Sequence, residues 1–182
     1  SVTPEAIAKH TATEMYAIAK TDDSKEEMVV VDAFCGVGGN SIQFAQIFDR
    51  VIAVDLSPTR LEMAKHNAEI YGVADKIEFV LGDAFEVLKT LQKTTKISAI
   101  FLSPPWGGPE YVSKPVFCPK SDLFDGRGGE LFQLATSLTP NCVLFLPRQS
   151  DIYVIAQLIQ ERKGKTLEES DSFVVEQHYL RN

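Results

Sequence analysis

The 182-residue sequence is poor in cysteine, in long apolar runs and in basic charge. Its three cysteines, Cys35, Cys118 and Cys142, are too few and odd in number for a disulfide framework, and none has a CxxC or Cys/His neighbour. We therefore expect a reducing compartment and no metal site. No apolar run approaches the roughly 20 residues that span a bilayer, and the amino-terminal residues lack the pattern of a signal peptide.

Basic residues are outnumbered, with 18 Lys and Arg against 25 Asp and Glu, which gives a net charge of -7. A protein that holds long stretches of nucleic acid through phosphates usually has a basic surface. If this protein meets a nucleic acid, we expect it to recognise a small part of it closely. The length favours a single domain over residues 1–182.

Short apolar runs alternate with helical patterns along the chain, which predicts a doubly wound α/β fold with a mostly parallel sheet. Thr3 is predicted to cap the first helix, with Pro4 at its first position. Another helix is predicted from Pro58, capped by Ser57, to a stop at Gly72. Its apolar face is predicted to comprise Leu61, Ala64, Ala68 and Tyr71. Strands are predicted at "MVVVD", "RVIAVDLS", "KIEFVLGD", "ISAIFLS", "NCVLFLPR" and "FVVEQHYL", with a long loop from Trp106 to about Gly128.

Polar residues follow the predicted strands at the edge where parallel sheets bind their ligands. They are Asp32, Asp55, Asp83, Ser103 and Arg148.

A glycine-rich turn follows the first of these strands, in "DAFCGVGGN". Its spacing is GxGG, which does not match the GxGxxG pattern of dinucleotide-binding turns, and no Lys, Ser or Thr follows in the pattern of a phosphate loop. Asp55 lies 23 residues after Asp32, where an acid can accept both hydroxyls of a ribose. Asp83 and Phe85 could frame an adenine ring. Together these features are typical of S-adenosylmethionine sites in class I methyltransferases; the alternative is a structural turn with solvated acids.

The motif "SPPW" follows the fourth predicted strand and has the form found in methyltransferases that modify planar amines. The Ser103 side chain and the Pro104 carbonyl can accept the two N–H groups of such an amine, which localises its lone pair and aims it at a methyl donor. Trp106 can then stack on the flat substrate, and Trp is the best ring for a cation–π contact. The alternative for Trp106 is a core residue on a turn.

The sequence resembles the trimethylguanosine synthases, which methylate the exocyclic N2 amine of a 7-methylguanosine RNA cap. The resemblance is carried by "SVTPE", "VVVDAFCGVGGN", "HNAEIYG", "ADKIEFVLGD", "FLSPPWGGPEY" and "FLPR". It implies that Ser103 and Pro104 hold the amine, and that Trp106 stacks on the cationic guanine. It also implies that Asn67 bonds the guanine edge, while Tyr111 and Arg148 reach the cap phosphates. The motifs and the resemblance together place the cofactor among Thr3, Pro4, Asp32, Phe34, Gly36, Gly38, Asn40, Asp55, Leu56, Asp83, Ala84, Phe85 and Ser103.

Further expectations follow from the resemblance. Its members carry an upstream helical extension with basic residues and a seventh strand, neither of which this sequence shows. Lys114, Lys120 and Arg127 could compensate for the basic residues or be solvated. The implied partner is capped small nuclear or nucleolar RNA, bound by a monomer without metal or membrane. The implied location is the nucleus, in the nucleolus or related bodies, and also the cytoplasm.

Two other functions remain open on the sequence. One is amino methylation of a different target, such as guanine in ribosomal or transfer RNA, adenine, or a protein glutamine. The other is a module that binds caps or S-adenosylmethionine without turnover. No strong general base is evident, and His66 is more easily read as a surface helix residue.

Overall fold

The computed structural model describes residues 2–20, 26–107 and 114–163. The helices are α1 (Glu5–Ala19), α2 (Gly39–Ala45), α3 (Pro58–Ile70), α4 (Ala84–Thr94), α5 (Pro119–Asp122), α6 (Gly128–Leu138) and α7 (Ile152–Lys163). The strands are β1 (Val29–Asp32), β2 (Arg50–Asp55), β3 (Ile77–Leu81), β4 (Ala99–Leu102) and β5 (Cys142–Leu144). Short 3-10 turns lie at Ala74–Lys76 and Phe124–Gly126.

The five strands form one sheet in the order β3-β2-β1-β4-β5, and every neighbouring pair is parallel. The central strands β1 and β4 are buried along their whole length, which explains why they are apolar without alternation. The predicted doubly wound parallel sheet is therefore confirmed. The strand predicted at 173–180 lies outside the described residues.

The chain divides into two compact units. One takes in the described residues of Ser1–Pro104 and Leu134–Phe145, and the other those of Pro105–Gln133 and Leu146–Asn182. The first unit contains the whole five-stranded sheet. Among the described residues, no helix is both long and apolar enough to cross a membrane.

The core of the first unit includes a series of aromatic rings. Phe44 and Phe48, both from the α2 region, are fully buried, as is Phe101 of β4. Their contacts are edge-on: the Phe44 ring lies 5.4 Å from Phe101 and 6.3 Å from Phe48, and Tyr16 of α1 lies 5.4 Å from Phe48. The rings thus join α1, α2 and β4.

The start of α1 differs from the prediction by one residue. The helix begins at Glu5, and Pro4 takes the capping position with its carbonyl accepting from the Ile7 and Ala8 amides. Thr3 does not cap the helix; its hydroxyl instead accepts a hydrogen bond from the Asn40 side chain at 3.0 Å.

The predicted ends of α3 are confirmed. The Ser57 hydroxyl accepts from the Arg60 amide, and Pro58 occupies the first helical position. At the other end Gly72 adopts φ +69°, and the Gly72 and Val73 amides donate to the Glu69 and Ala68 carbonyls. This is the Schellman arrangement that a left-handed glycine permits.

The apolar face of α3 is narrower than predicted. Leu61, Ala64 and Ala68 are buried, but Tyr71 is 48% exposed. Tyr71 lies at the C-cap of the helix, after its last regular turn, so its side chain leaves the buried stripe.

The second unit contains more regular structure than the single long loop that the sequence suggested. The helix α5 and a 3-10 turn fall inside that region, and Phe117 is fully buried with backbone hydrogen bonds to Gln149 and Asp151. The three basic residues that could have compensated for those of the upstream extension are paired with acids: Lys114 with Asp122, Lys120 with Glu161 and Arg127 with Glu130.

We expect Gly72→Ala to destabilise the first unit by about 1 kcal/mol, because a Cβ is strained at a positive φ. A Cβ at this position would meet nothing within 4 Å, so the loss reports backbone strain and not a clash. Urea unfolding measures the effect. Gly72→Asn is the matched control and should lose less, since Asn tolerates the left-handed region; equal losses would contradict this explanation.

Candidate active site

Three of the five polar residues expected at the carboxyl edge of the sheet lie at strand ends. Asp32 and Asp55 are the last residues of β1 and β2, and Ser103 directly follows β4. In the parallel register Asp32 lies beside Ala53 of β2 and Phe101 of β4. Asp55 comes two residues after Ala53, and Ser103 comes two residues after Phe101. These three side chains therefore share one edge of the central sheet.

The other two expected residues lie further from the strands. Asp83 comes two residues after β3 ends and begins α4. Arg148 comes four residues after β5 ends at Leu144, and it belongs to the second unit. The sequence run "NCVLFLPR" predicted a longer strand than the three residues that pair.

The glycine turn between β1 and α2 is held against the neighbouring strands. The Ala33 amide donates to the Phe101 carbonyl, and the Cys35 amide donates to the Val54 carbonyl. Gly36 and Gly38 adopt φ +55° and +89°, which L side chains rarely do. A Cβ on Gly38 would lie 3.2 Å from the Ala64 Cβ, so the turn also packs closely against α3.

Asp32 is the most deeply buried charged residue of this edge, at 1% exposure. Its Oδ2 atom accepts a hydrogen bond of 2.6 Å from the Ser41 hydroxyl. Burial raises the pKa of Asp32 to about 6, and the Ser41 bond opposes that rise. Asp32 is therefore a carboxylate whose charge lacks full compensation.

Two buried acceptor atoms near the turn lack donors among the described residues: Asp32 Oδ1 and Asn40 Oδ1. The Asn40 amide nitrogen donates to Thr3, which ties the segment before α1 to the first turn of α2. Buried acceptors are normally paired, so both oxygens suit a ligand rich in N–H donors. The ammonium group of S-adenosylmethionine is such a ligand, and these residues fit it.

Asp55 contrasts with Asp32 because its carboxylate is fully hydrogen-bonded. Its Oδ1 atom accepts from the Ser57 amide at 2.8 Å and from Arg60 Nε at 2.9 Å, with Arg60 Nη2 at 2.7 Å. Its Oδ2 atom accepts from the Gly36 amide at 3.0 Å. Asp55 thus links β2, the glycine turn and the first turn of α3.

The segment after β3 has roles of its own in the structure. Asp83 caps α4, with Oδ1 accepting from the Phe85 amide at 2.9 Å and the Glu86 amide at 3.4 Å. Ala84 and Phe85 are buried at 6% and 3% exposure, so the Phe85 ring belongs to the packing beneath α4. Leu56, by contrast, is 64% exposed beside Asp55 and offers an apolar surface. The adenine contacts of these residues remain a prediction.

Asn67 has a contact that the sequence did not predict. Its side-chain nitrogen donates to the Val37 carbonyl at 3.0 Å, across from α3 to the glycine turn. If Asn67 bonds a substrate, its side-chain oxygen and the second N–H of its amide nitrogen remain for it.

The residues expected to hold the substrate amine and base fall in both units. Ser103 is half-buried and Pro104 is buried, both in the first unit. Trp106 is half-buried in the second unit, where Arg148 is exposed and has no ion pair with the residues that the structure describes. Tyr111 lies outside the described residues, and Phe34 is half-buried in the glycine turn.

The Cys35 thiol lies in the glycine turn and is buried. Burial, together with the charges of Asp32 and Asp55, raises the pKa of the Cys35 thiol, so this thiol stays protonated. Over residues 2–20, 26–107 and 114–163, no group of three or more His, Cys, Asp or Glu side chains could hold a metal ion.

Sequence reasoning missed three residues that shape this edge: Ser41, Arg60 and Ala64. Ser41 lies two residues after the last glycine of the turn. Its hydroxyl could have been predicted from the sequence to hydrogen-bond Asp32, the acid that ends β1. Arg60 lies in the first turn after Asp55, at the spacing of a local ion pair. Ala64 was assigned to the core, without its close approach to Gly38.

A parallel sheet in this order, with a glycine turn after β1 and an acid ending β2, is the doubly wound arrangement that class I S-adenosylmethionine-dependent methyltransferases share with dinucleotide-binding folds. Solved structures agree on the fold. A SAM-dependent methyltransferase from Agrobacterium tumefaciens matches with a TM-score of 0.62 at 19% identity, over 88% of this chain and 51% of that one. A precorrin 8w decarboxylase from Methanobacterium thermoautotrophicum matches with a TM-score of 0.56 at 19% identity, over 85% and 71%.

The family follows from the sequence match. A family model described as RNA cap guanine-N2 methyltransferase matches residues 27–176, and the chain belongs to this family. It is 41% identical to the trimethylguanosine synthase of Schizosaccharomyces pombe over 86% of this chain, and 34% identical to that of Saccharomyces cerevisiae over 100%. The chain spans 63% and 56% of the lengths of these two relatives. The recognition of the family and of its cofactor, S-adenosylmethionine, is thus confirmed.

We expect Asp32→Asn to change how stability depends on pH. The folded pKa of about 6 lies above the unfolded value of about 3.9, so the folded state binds the proton more tightly. The free energy of unfolding of the wild type, relative to the variant, should therefore fall as pH rises from about 4 to about 6.5, by on the order of 3 kcal/mol.

Urea unfolding of both proteins without cofactor, at a series of pH values, measures this difference. The exposed Asp75 gives a matched control, since Asp75→Asn removes a carboxylate without burial. If the free energies of unfolding of the wild type and Asp32→Asn change with pH in the same way, burial does not raise the pKa of Asp32 and the prediction is wrong.

Proposed function

We propose that the protein transfers a methyl group to the exocyclic N2 amine of a 7-methylguanosine RNA cap. The observation that carries this proposal is the position of Ser103 and Pro104, directly after the buried strand β4 and on the same sheet edge as Asp32 and Asp55. The family match supports the cap as the target.

S-adenosylmethionine, when bound, supplies a methyl group on a positively charged sulfur. On the protein side, Asp32 and Asn40 offer buried oxygens for its ammonium group, and Asp55 offers a carboxylate for its ribose. Leu56 presents an exposed apolar side chain beside that acid. The cofactor is held by residues that the sheet and the glycine turn fix in place.

The amine is held by acceptors. An aromatic amine is a poor nucleophile because its lone pair is delocalised into the ring. The Ser103 side chain and the Pro104 carbonyl accept its two N–H groups, which localises the lone pair and orients it. The methylated amine is acidic enough to lose its proton to water, so the proposal assigns no residue as general base.

Trp106 and Arg148 are assigned to the base and its phosphates. Trp106 stacks on the guanine ring, whose positive charge after 7-methylation favours a cation–π contact. Arg148 binds the cap phosphates, which its lack of an ion pair with the described acids supports. Lys114, Lys120 and Arg127 are not assigned to phosphates because each is paired with an acid.

Asn67 and Tyr111 complete the proposed substrate contacts. Asn67 bonds the guanine edge through its side-chain oxygen or the second N–H of its amide, while its first N–H donates to Val37. Tyr111, outside the described residues, keeps the phosphate role that the resemblance implies. The capped RNAs are proposed to be small nuclear and nucleolar RNAs, bound by a monomer in the nucleus, its nucleolus or related bodies, and also in the cytoplasm.

The substrate is tested by methyl transfer to 7-methyl-GDP, GDP and ATP in parallel, with labelled cofactor. We expect 7-methyl-GDP to be preferred over GDP by about tenfold or more, because the neutral base loses the cation–π contact. Equal turnover of the two guanosine nucleotides would reject the cap as substrate, and preference for ATP would favour an adenine methyltransferase. Cap binding by calorimetry without any transfer would indicate a binding module instead.

We expect Trp106→Ala to abolish methyl transfer while the melting temperature stays nearly unchanged, because the half-buried ring is proposed to pack on the substrate. Calorimetry with S-adenosylhomocysteine should show unchanged binding, which separates a substrate defect from a folding defect. Trp106→Phe keeps a weaker aromatic face and should retain partial activity. A large fall in melting temperature would identify Trp106 as a core residue.

A further inference from the structure

The carboxylate of Asp55 has its hydrogen-bonding capacity filled by the protein itself. An ionised carboxylate offers about four lone-pair positions. Two are used by backbone amides, those of Gly36 and Ser57, and two donors of the Arg60 guanidinium approach Oδ1. Asp55 is 8% exposed, so little room remains around these contacts.

This arrangement conflicts with the cofactor unless one partner leaves. A ribose presents two hydroxyl donors, and an acid at this strand end receives both of them in dinucleotide folds. One hydroxyl can share Oδ2 with the Gly36 amide. The second needs Oδ1, where three donors already converge.

Only one of the donors at Oδ1 can leave without moving the backbone. The Ser57 amide is fixed by the turn that starts α3. The Arg60 side chain is 53% exposed and has a long flexible stem, so solvent can receive its guanidinium. We propose that Arg60 occupies the ribose position of the cofactor site and is displaced each time the adenosyl group binds.

The consequence is an intramolecular competition. Every adenosyl ligand, substrate or product, must break the Arg60–Asp55 pair before its ribose gains both oxygens of Asp55. Arg60 therefore lowers the affinity for both S-adenosylmethionine and S-adenosylhomocysteine, and it recaptures Asp55 as the product leaves. This proposal rests on the cofactor of the family and does not require the cap to be the substrate.

We expect Arg60→Met to bind S-adenosylhomocysteine about two- to fivefold more tightly than the wild type, which is the range of a half-exposed ion pair. Met preserves the length of the stem and the helix propensity of α3. Isothermal calorimetry at about pH 8, where carboxylates are ionised, measures the affinity.

Arg50→Met is the matched control. Arg50 also pairs with an acid, Glu78, but it begins β2 at the opposite end from Asp55. Its removal should leave the affinity unchanged. Arg60→Lys should fall between the wild type and Arg60→Met, because Lys keeps the charge without the planar fork.

Salt dependence tests the competition apart from any structural role of Arg60. The probe is 5′-methylthioadenosine, which carries the ribose but no charged amino-acid group. Salt screens the half-exposed ion pair, so the wild-type affinity should rise as KCl increases from about 0.05 M to about 0.5 M. The affinity of Arg60→Met should not change over this range.

Each other outcome overturns the proposal in a distinct way. Weaker or equal S-adenosylhomocysteine binding by Arg60→Met would make Arg60 a residue that positions Asp55. If the methylthioadenosine affinity of Arg60→Met rises with KCl as much as that of the wild type, the salt effect does not come from the Arg60–Asp55 pair and the competition is rejected. If the wild type binds neither nucleoside, both this proposal and the cofactor fail, whereas tight nucleoside binding without cap methylation would reject only the proposed substrate.

Discussion

The packing of Phe44 against Phe101 sets the geometry on which the rest of the site depends. Phe44 belongs to α2, the helix that follows the glycine turn, and Phe101 precedes Ser103 by two residues. Their rings meet at 5.4 Å and an angle of 68°, and both are fully buried. The turn that holds the cofactor and the strand that delivers the amine acceptor are therefore positioned by one contact, and a volume change at either ring would move both.

The two acids on this framework are prepared differently. Asp55 has two backbone amides and a guanidinium around its carboxylate. Asp32 has the Ser41 hydroxyl and the backbone amides of Phe34 and Ser41, but no cation, and its buried Oδ1 lacks a donor among the described residues. A neutral diol and a cation need different environments: the diol needs lone pairs, and the cation needs an uncompensated negative charge. The unpaired oxygen of Asp32 matches the ammonium end of the cofactor as it stands, whereas Asp55 matches the diol only when Arg60 has left it.

Much of the fold was readable from the sequence because its signals are local. The buried run before Asp32 and the cap at Ser57 depend on a few adjacent residues, and both were predicted correctly. The contacts of Asn67 and Ala64 with the glycine turn were not readable, since they join residues about 30 apart and leave no pattern in either segment. The burial of Phe85 at 3% exposure was not readable either, because a motif shows that a ring is near a strand end but not which way it faces; its adenine contact stays a prediction.

Three residues of α3, Arg60, Ala64 and Asn67, touch the cofactor edge at spacings of four and three. They form one stripe along the helix, because residues at these spacings share a face. Substitutions at the positions that lie between these three residues are tolerable where the side chain is exposed, as at Met63. A change of length is different: one inserted residue would rotate the following stripe by about 100° and carry Ala64 and Asn67 away from the turn together. Homologous sequences can therefore drift on the outer side of α3, while the number of residues between Asp55 and Asn67 is fixed by the loop they support.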